Sequence, residues 1–189
     1  MFRRIMAALL LTAPGAAAMG QGEQSGDWAI AQMPNGCMVE AVSPQGTMLT
    51  IWGFAGRPKL AFLLQNKEWG ALQDGRSYQL SLDFVGSPTA VPVEATARHN
   101  IDGDGPGLLF TVQPGGDGTT NFLDVFTSAE GMRISQDGHK VDTLPLAGSR
   151  RAITALAQCL AAHWSSPSAQ PDQSDQSDDA KAPAANPIV

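Results

Sequence analysis

Three oxygen-bearing side chains in the stretch HNIDGDGPGLLF are spaced like the ligands of a calcium-binding loop. Asn100, Asp102 and Asp104 occupy its first, third and fifth positions, and Gly105 follows at the sixth. The twelfth position, where a bidentate glutamate is needed, is Thr111, and strand-like alternation flanks the stretch. The sequence therefore predicts a turn between two strands, with weak cation binding at the three side chains as the alternative.

A second candidate site lies at the predicted start of the last helix, in the stretch GSRRA. The free amides and the dipole of a helix N-terminus favour anions and disfavour cations. Two arginines there would suit a bound carboxylate or phosphate, so Ser149, Arg150 and Arg151 are candidate anion-binding residues. The alternative is that both guanidinium groups point to solvent or pair with surface acids.

Cys37 and Cys159 are the only cysteines in the chain. We predict a disulfide between them, because an even number of cysteines suggests disulfide bonding if the chain is exported. Two buried free thiols are one alternative. A metal site is another, because His163 lies one helical turn after Cys159 and would supply a third ligand. A structural zinc site usually needs four ligands, and the disulfide explains both cysteines with fewer assumptions.

Motifs of known catalytic chemistry are absent from the sequence, which has no G-x-S-x-G elbow and no H-E-x-x-H helix. A cysteine on an apolar helix face also lacks the electropositive setting that a reactive thiolate needs. We therefore expect no catalytic residues, no cofactor and no dedicated metal site. A small hydrolase with a dispersed pair of carboxylates stays open, because such pairs leave no sequence signature.

The N-terminus, MFRRIMAALLLTAPGAAAMG, reads as a secretory signal peptide. Two arginines precede a short apolar run, and small residues precede a cleavage point after Ala18. The run is too short to span a membrane, which takes about 20 residues. We expect a signal peptide at 1–18, a flexible segment at 19–26, one domain at 27–164 and a disordered Ser-, Asp- and Pro-rich tail at 165–189. The expected location is the periplasm, or outside the cell.

The charge balance excludes one large class of partners. The formal net charge is -6, with 12 basic and 18 acidic residues. Nucleic-acid binding needs a basic surface that replaces the counterions around phosphates, and no basic amphipathic stretch suggests an anionic membrane. We therefore expect neither nucleic acid nor membrane insertion of the mature chain, and the predicted partner is another envelope protein. The oligomeric state is left open.

The elements that would position these residues are mostly strands up to Gln113. SYQLSLDF alternates as a half-buried strand does, whereas TMLTIWGF and KLAFLLQN are apolar on both faces, as in covered strands. VPVEATAR also alternates, but its proline, Pro92, indicates an edge or a bulge. Asn35-Gly36 predicts a hairpin turn, as does Asp137-Gly138 further along. The pattern up to Gln113 indicates an antiparallel meander of about six strands.

Two helices are predicted in the C-terminal part. NFLDVFTSAEG has helical spacing, with Thr120 as its N-cap and Gly131 just past its end. SRRAITALAQCLAAHW is the strongest helix pattern in the chain, capped by Ser149. One face of it carries five residues, Ile153, Leu156, Ala157, Leu160 and Trp164. The predicted fold class is α+β: an antiparallel sheet or open barrel of about six strands plus a hairpin, with both helices packed on one side.

The C-terminal half resembles small exported bacterial proteins of the VasI group, which is associated with type VI secretion, and related uncharacterised periplasmic families. The shared features are the stretch FLDVFTSAEGMRIS, the run of Leu144, Leu146 and Gly148, and a helix closing on Cys159. The resemblance covers about a quarter of the chain and implies a periplasmic accessory or binding module. We expect a non-enzymatic envelope protein; an inhibitor or immunity protein that inserts a loop into an envelope enzyme is the alternative.

Overall fold

The computed structural model describes residues 24–25, 28–88, 90–99, 101, 105–114 and 120–164, which form ten β-strands and two α-helices. The strands are β1 (Gln24–Ser25), β2 (Trp28–Met33), β3 (Gly36–Val42), β4 (Met48–Phe54), β5 (Leu60–Gln65), β6 (Ser77–Phe84), β7 (Val91–Arg98), β8 (Gly107–Val112), β9 (Gly131–Gln136) and β10 (His139–Pro145). Helix α1 (Thr120–Ser128) precedes β9, and α2 (Ser149–Trp164) follows β10. The predicted signal peptide and C-terminal tail lie outside the described residues.

All ten strands join one antiparallel sheet, in the order β1-β2-β3-β4-β5-β8-β7-β6-β9-β10. The predicted α+β class is confirmed, but the predicted number of strands is too low. Eight strands precede α1, and one of them, β1, has only two residues and so carries no readable period. The meander prediction holds from β1 to β5 and again from β6 to β8, but the two runs join differently from the prediction, since β5 pairs with β8 rather than β6.

The sheet curls strongly across its width. Ser43 directly follows β3, and Asp142 lies in β10, seven places further along the strand order. A flat sheet would hold them about 34 Å apart, because neighbouring strands lie about 4.8 Å apart. Instead, the buried Ser43 hydroxyl donates a hydrogen bond to Asp142 Oδ2 at 2.9 Å. The sheet is therefore an open, barrel-like layer with a concave inner face.

A cluster of five phenylalanines fills the space between the concave face and α1. Phe122 and Phe126 of α1 stack on each other with ring centroids 6.0 Å apart. Both meet Phe62 of β5 edge to face, at 5.4 and 5.8 Å, and both also contact Phe84 of β6. Phe110 of β8 stacks on Phe62 at 5.2 Å. The cluster is buried and joins the centre of the sheet to the helix, so it is the main packing unit of the core.

Helix α2 covers the β2–β4 part of the same concave face. Leu160 of the helix packs on Gly53, where a Cβ would collide with the leucine side chain. The absence of a side chain at Gly53 therefore leaves room for Leu160 against the sheet. The predicted apolar face is correct at Leu156, which is fully buried, and wrong at Ala157, which is exposed, while Ala152 is buried instead.

The first hairpin turns one residue earlier than predicted. Met33 pairs with Gly36, so the two-residue loop is Pro34-Asn35 and not Asn35-Gly36. Gly36 belongs to β3, where a Cβ would collide with the carbonyl oxygen of Gly53 on β4. The glycine is required by close packing between two strands and not by the turn.

The last hairpin turns where predicted. Asp137 and Gly138 have φ of 50° and 77°, which is the left-handed backbone that such a two-residue turn needs. Helix α1 begins at the predicted Thr120, but Gly131 is the first residue of β9 rather than the residue ending the helix. This prediction failed because the chain runs almost directly from α1 into the next strand.

Pro92 lies in β7, which is an interior strand, although the proline indicated an edge or a bulge. The pairing of β7 with β8 covers only Thr96 to Arg98, whereas its pairing with β6 covers Val91 to Thr96. At Pro92 the strand therefore has a partner on one side only. The proline is tolerated because this end of β7 is locally an edge.

Replacing Trp28 tests the contact between β2 and the segment before α2. Its Nε1 donates a hydrogen bond to the Ala147 carbonyl at 3.0 Å, and its ring meets Phe126 edge to face. We expect Trp28→Phe to lower the free energy of unfolding by about 1–2 kcal/mol, since it removes this bond and shrinks a buried ring. Urea unfolding followed by circular dichroism measures the loss. The half-buried Trp52→Phe is the control, and equal losses in both variants would argue against the prediction.

Candidate functional site

One corner of the molecule brings sulfur and imidazole together. Cys37, on the inner face of β3, and Cys159, in the third turn of α2, form a disulfide with Cα atoms 6.2 Å apart, which confirms the predicted pairing. Cys37 is fully buried and Cys159 is half-buried. The bridge clamps α2 to the concave face next to the close approach at Gly53, because Cys37 and Gly53 are paired across β3 and β4.

His163 lies one turn after Cys159, as its spacing predicted. Its imidazole presents a nitrogen that lies within 4.8 Å of both sulfur atoms. Its Nε2 is buried, and no described residue forms a hydrogen bond with it. With the disulfide closed, neither sulfur is a thiolate, so this form of the corner lacks the ligands that bind metal.

A polar groove crosses the outer face of the sheet, opposite the side that the helices cover. Its lining comes from β6, β9, β10 and the turn between the last two strands, and its volume is about 510 Å³. The lining residues are Ser81, Asp83, Arg133, Ser135, Gly138, Lys140 and Thr143. The lining side chains of β6 and β9 point outward because they alternate with the buried Leu82 and Ile134 along their strands.

Strand register arranges these side chains in two rows. Asp83 and Thr143 lie on either side of Arg133, and in the next row Ser81 and Lys140 lie on either side of Ser135. Residues directly opposite each other have Cβ atoms about 5 Å apart, so each row spans three strands as one continuous surface.

The groove is a locally basic feature of an acidic protein. It holds two cations and one carboxylate, whereas the whole chain has a net charge of -6. Register places the carboxylate of Asp83 across from Arg133, whereas Lys140 faces only the hydroxyl of Ser135. The groove therefore combines short hydroxyl side chains, which can donate hydrogen bonds, with the two longer cationic side chains of Arg133 and Lys140. Such a surface suits a carboxylate or another small anion.

The three residues of the predicted anion site lie at the start of α2. Ser149 is buried, and its hydroxyl donates to the Phe126 carbonyl of α1 at 3.1 Å. The serine therefore ties the two helices together. Arg150 and Arg151 are both exposed. Anion binding by the two arginines stays a prediction.

The three side chains of the predicted weak cation site lie outside the described residues: Asn100, Asp102 and Asp104. The stretch connects neighbouring antiparallel strands, since Arg98 pairs with Gly107. Gln65 Nε2 donates to the Ile101 and Gly105 carbonyls, at 3.1 and 3.4 Å, and so anchors both ends of the connection to β5. The predicted position of the stretch between two strands is therefore confirmed, while the turn itself lies outside the described residues.

The groove residues were missed in the sequence. The outward positions of β6, β9 and β10 are readable from alternation, and all three strands were predicted. Nothing in the sequence shows that β6 pairs with β9, so nothing brings Asp83 next to Arg133. A search for charged residues on the outward faces of adjacent strands would have found the groove only with the strand order in hand.

Fold and site together define an α+β protein with a curled sheet, a disulfide between sheet and helix, and an open polar groove. No protein-family model matches the chain, and neither a curated protein nor a solved structure shows significant similarity to it. The resemblance to the VasI group therefore stays a prediction. Within the described part of the chain, no helix is long and apolar enough to cross a membrane.

Proposed function

We propose that this protein is a non-enzymatic accessory protein of the bacterial envelope, which binds an acidic segment of another envelope protein in the polar groove. The observation that carries the proposal is that Arg133 and Lys140 lie beside serine and threonine hydroxyl groups on three paired strands. The disulfide supports an oxidising compartment, because such bridges persist where thiols are not kept reduced. The resemblance to exported accessory proteins points the same way.

The shape of the groove favours a macromolecular ligand over a small one. Small-molecule sites are concave and bury most of the ligand surface. This groove lies on the outer face of a sheet, and its walls are side chains of exposed strands and one turn. An extended segment of a partner can lie across three strands and place a carboxylate between the two cations.

The net charge narrows the choice of partner further. A chain with a net charge of -6 repels a strongly acidic protein at long range. This repulsion slows their encounter, because the summed charges of two proteins influence the rate of association. The proposed partner therefore has a neutral or basic surface overall and presents only one or two acidic side chains at the groove.

The test is crosslinking of the protein from Met19 onward in its own envelope, with bound proteins identified by mass spectrometry. We expect one dominant partner. Arg133→Ala with Lys140→Ala should then weaken binding of the purified partner at least about tenfold, since a hydrogen bond to a charged group contributes about 1.5–3 kcal/mol. Arg150→Ala with Arg151→Ala is the matched control, because it also removes two exposed positive charges.

Comparing the binding losses of the two variants locates the binding site. Loss of binding in the groove variant alone supports the proposal. Loss in the helix variant alone moves the site to the start of α2, and equal losses in both point to nonspecific charge effects. Either of these outcomes, or the absence of any partner, would overturn the groove as the binding site.

A further inference from the structure

The corner formed by Cys37, Cys159 and His163 carries a second inference, which is independent of the groove. It joins two sulfur atoms and an imidazole nitrogen that all lie within 4.8 Å of one another. Two cysteines and a histidine are a ligand set typical of zinc, with the fourth position taken by water or substrate. His163 Nε2 is buried and has no hydrogen-bond partner among the described residues. Because buried polar atoms normally have such a partner, this is independent evidence that the nitrogen is available to a ligand.

We propose that reduction of the Cys37–Cys159 disulfide converts this corner into a Zn²⁺ site whose protein ligands are the two thiolates and the His163 imidazole. The disulfide form is the closed state of the site, and the reduced form is the metal-binding state. Two soft thiolates with an imidazole favour Zn²⁺ over the hard cations Mg²⁺ and Ca²⁺, which take oxygen ligands.

The chemistry balances in two steps. A dithiol gives two electrons and two protons to the disulfide, so the S–S bond breaks, two protein thiols form and the dithiol becomes a disulfide. Zn²⁺ then binds to both sulfur atoms and to neutral His163, and two protons are released to solvent as the thiols become thiolates. The oxidation state of the metal does not change.

The burial pattern allows both steps. Cys37 is fully buried, whereas Cys159 and His163 are half-buried, so this side of the corner lies near the protein surface. A reducing dithiol can attack the Cys159 sulfur first, and a water molecule can occupy the fourth ligand position on the open side. The three ligands lie on two elements, β3 and α2, which pack against each other on the concave face.

The experiment uses the whole chain from Met19, reduced with a phosphine and desalted without oxygen. Zn²⁺ is titrated in competition with a coloured chelator, and Co²⁺ is the spectroscopic probe, because thiolate ligands give it a charge-transfer band and tetrahedral geometry gives intense visible bands. We expect one Zn²⁺ per reduced chain and none per oxidised chain. His163→Ala should weaken binding at least about tenfold, the lower end of the loss seen when even an outer-shell partner is removed.

His139→Ala is the matched control, since His139 is exposed at the β9–β10 turn and should leave zinc affinity unchanged. If the reduced chain unfolds without metal, Zn²⁺ should restore the circular dichroism spectrum of the oxidised protein in wild type and His139→Ala, but not in His163→Ala. Zinc binding that is equal in oxidised and reduced protein, insensitive to His163→Ala, or absent after reduction would overturn the proposal.

Discussion

Replacing both cysteines, Cys37→Ala with Cys159→Ala, is expected to lower the free energy of unfolding by about 4 kcal/mol. The bridge joins residues 122 positions apart, and closing a loop of this size lowers the conformational entropy of the unfolded chain. The chain-entropy model gives about 4.7 kcal/mol for a loop of 100 residues, and real bridges often contribute less. Urea unfolding with a metal chelator present measures the loss.

Two controls separate the bridge from the packing of its sulfur atoms. Reductant should lower the stability of the wild type to nearly that of the double variant, and it should leave the double variant unchanged. The slope of free energy against urea should also rise in the variant, because the unfolded chain without its cross-link exposes more surface. A loss below about 1 kcal/mol would show that the bridge contributes little to holding α2 on the sheet.

Phe62→Ala is expected to have an effect of similar size, about 3–5 kcal/mol. Phe62 is fully buried, and its ring contacts Phe110 on the neighbouring strand as well as Phe122 and Phe126 on α1. Truncation leaves a cavity between the sheet and the helix that the surrounding rings cannot fill without leaving their edge-to-face geometry. Urea unfolding followed by circular dichroism gives the loss, and the near-ultraviolet signal should weaken as the aromatic cluster loosens.

Phe54→Ala is the matched control for Phe62→Ala, because it makes the same chemical change at the end of β4, where the side chain is 38% exposed. We expect it to cost less than about 1 kcal/mol. Similar losses at both positions would mean that the cluster around Phe62 is no more important to stability than the surface.

The alternation of apolar and polar residues along the chain predicted which side chains face the core, and individual strands test this prediction. In SYQLSLDF the predicted apolar face is correct, with Leu80, Leu82 and Phe84 all buried in β6. The strands apolar on both faces, β4 and β5, indeed lie in the interior of the sheet. Burial depends on the pattern within one strand, so it is readable locally.

The neighbours of a strand are not readable in the same way. A strand with a given alternation packs equally well beside either of two partners, so nothing near β5 indicated that it pairs with β8. The same limit applies to β6 and β9, whose pairing creates the groove. The disulfide was predictable because only two cysteines exist, whereas the groove required a strand order that depends on long-range packing.

The distance along the chain between contacting residues has a consequence for how the molecule folds. Ser43 and its hydrogen-bond partner Asp142 are 99 positions apart in the sequence, and the bonded cysteines are 122 positions apart. Folds dominated by such high-contact-order pairings form slowly, in milliseconds to seconds, because loop-closure entropy is lost before the contacts form. With only two cysteines, oxidation has no wrong intramolecular pairing to correct. The bridge can form only after Cys159 has been synthesised, so the strands and α1 are already part of the chain when it closes.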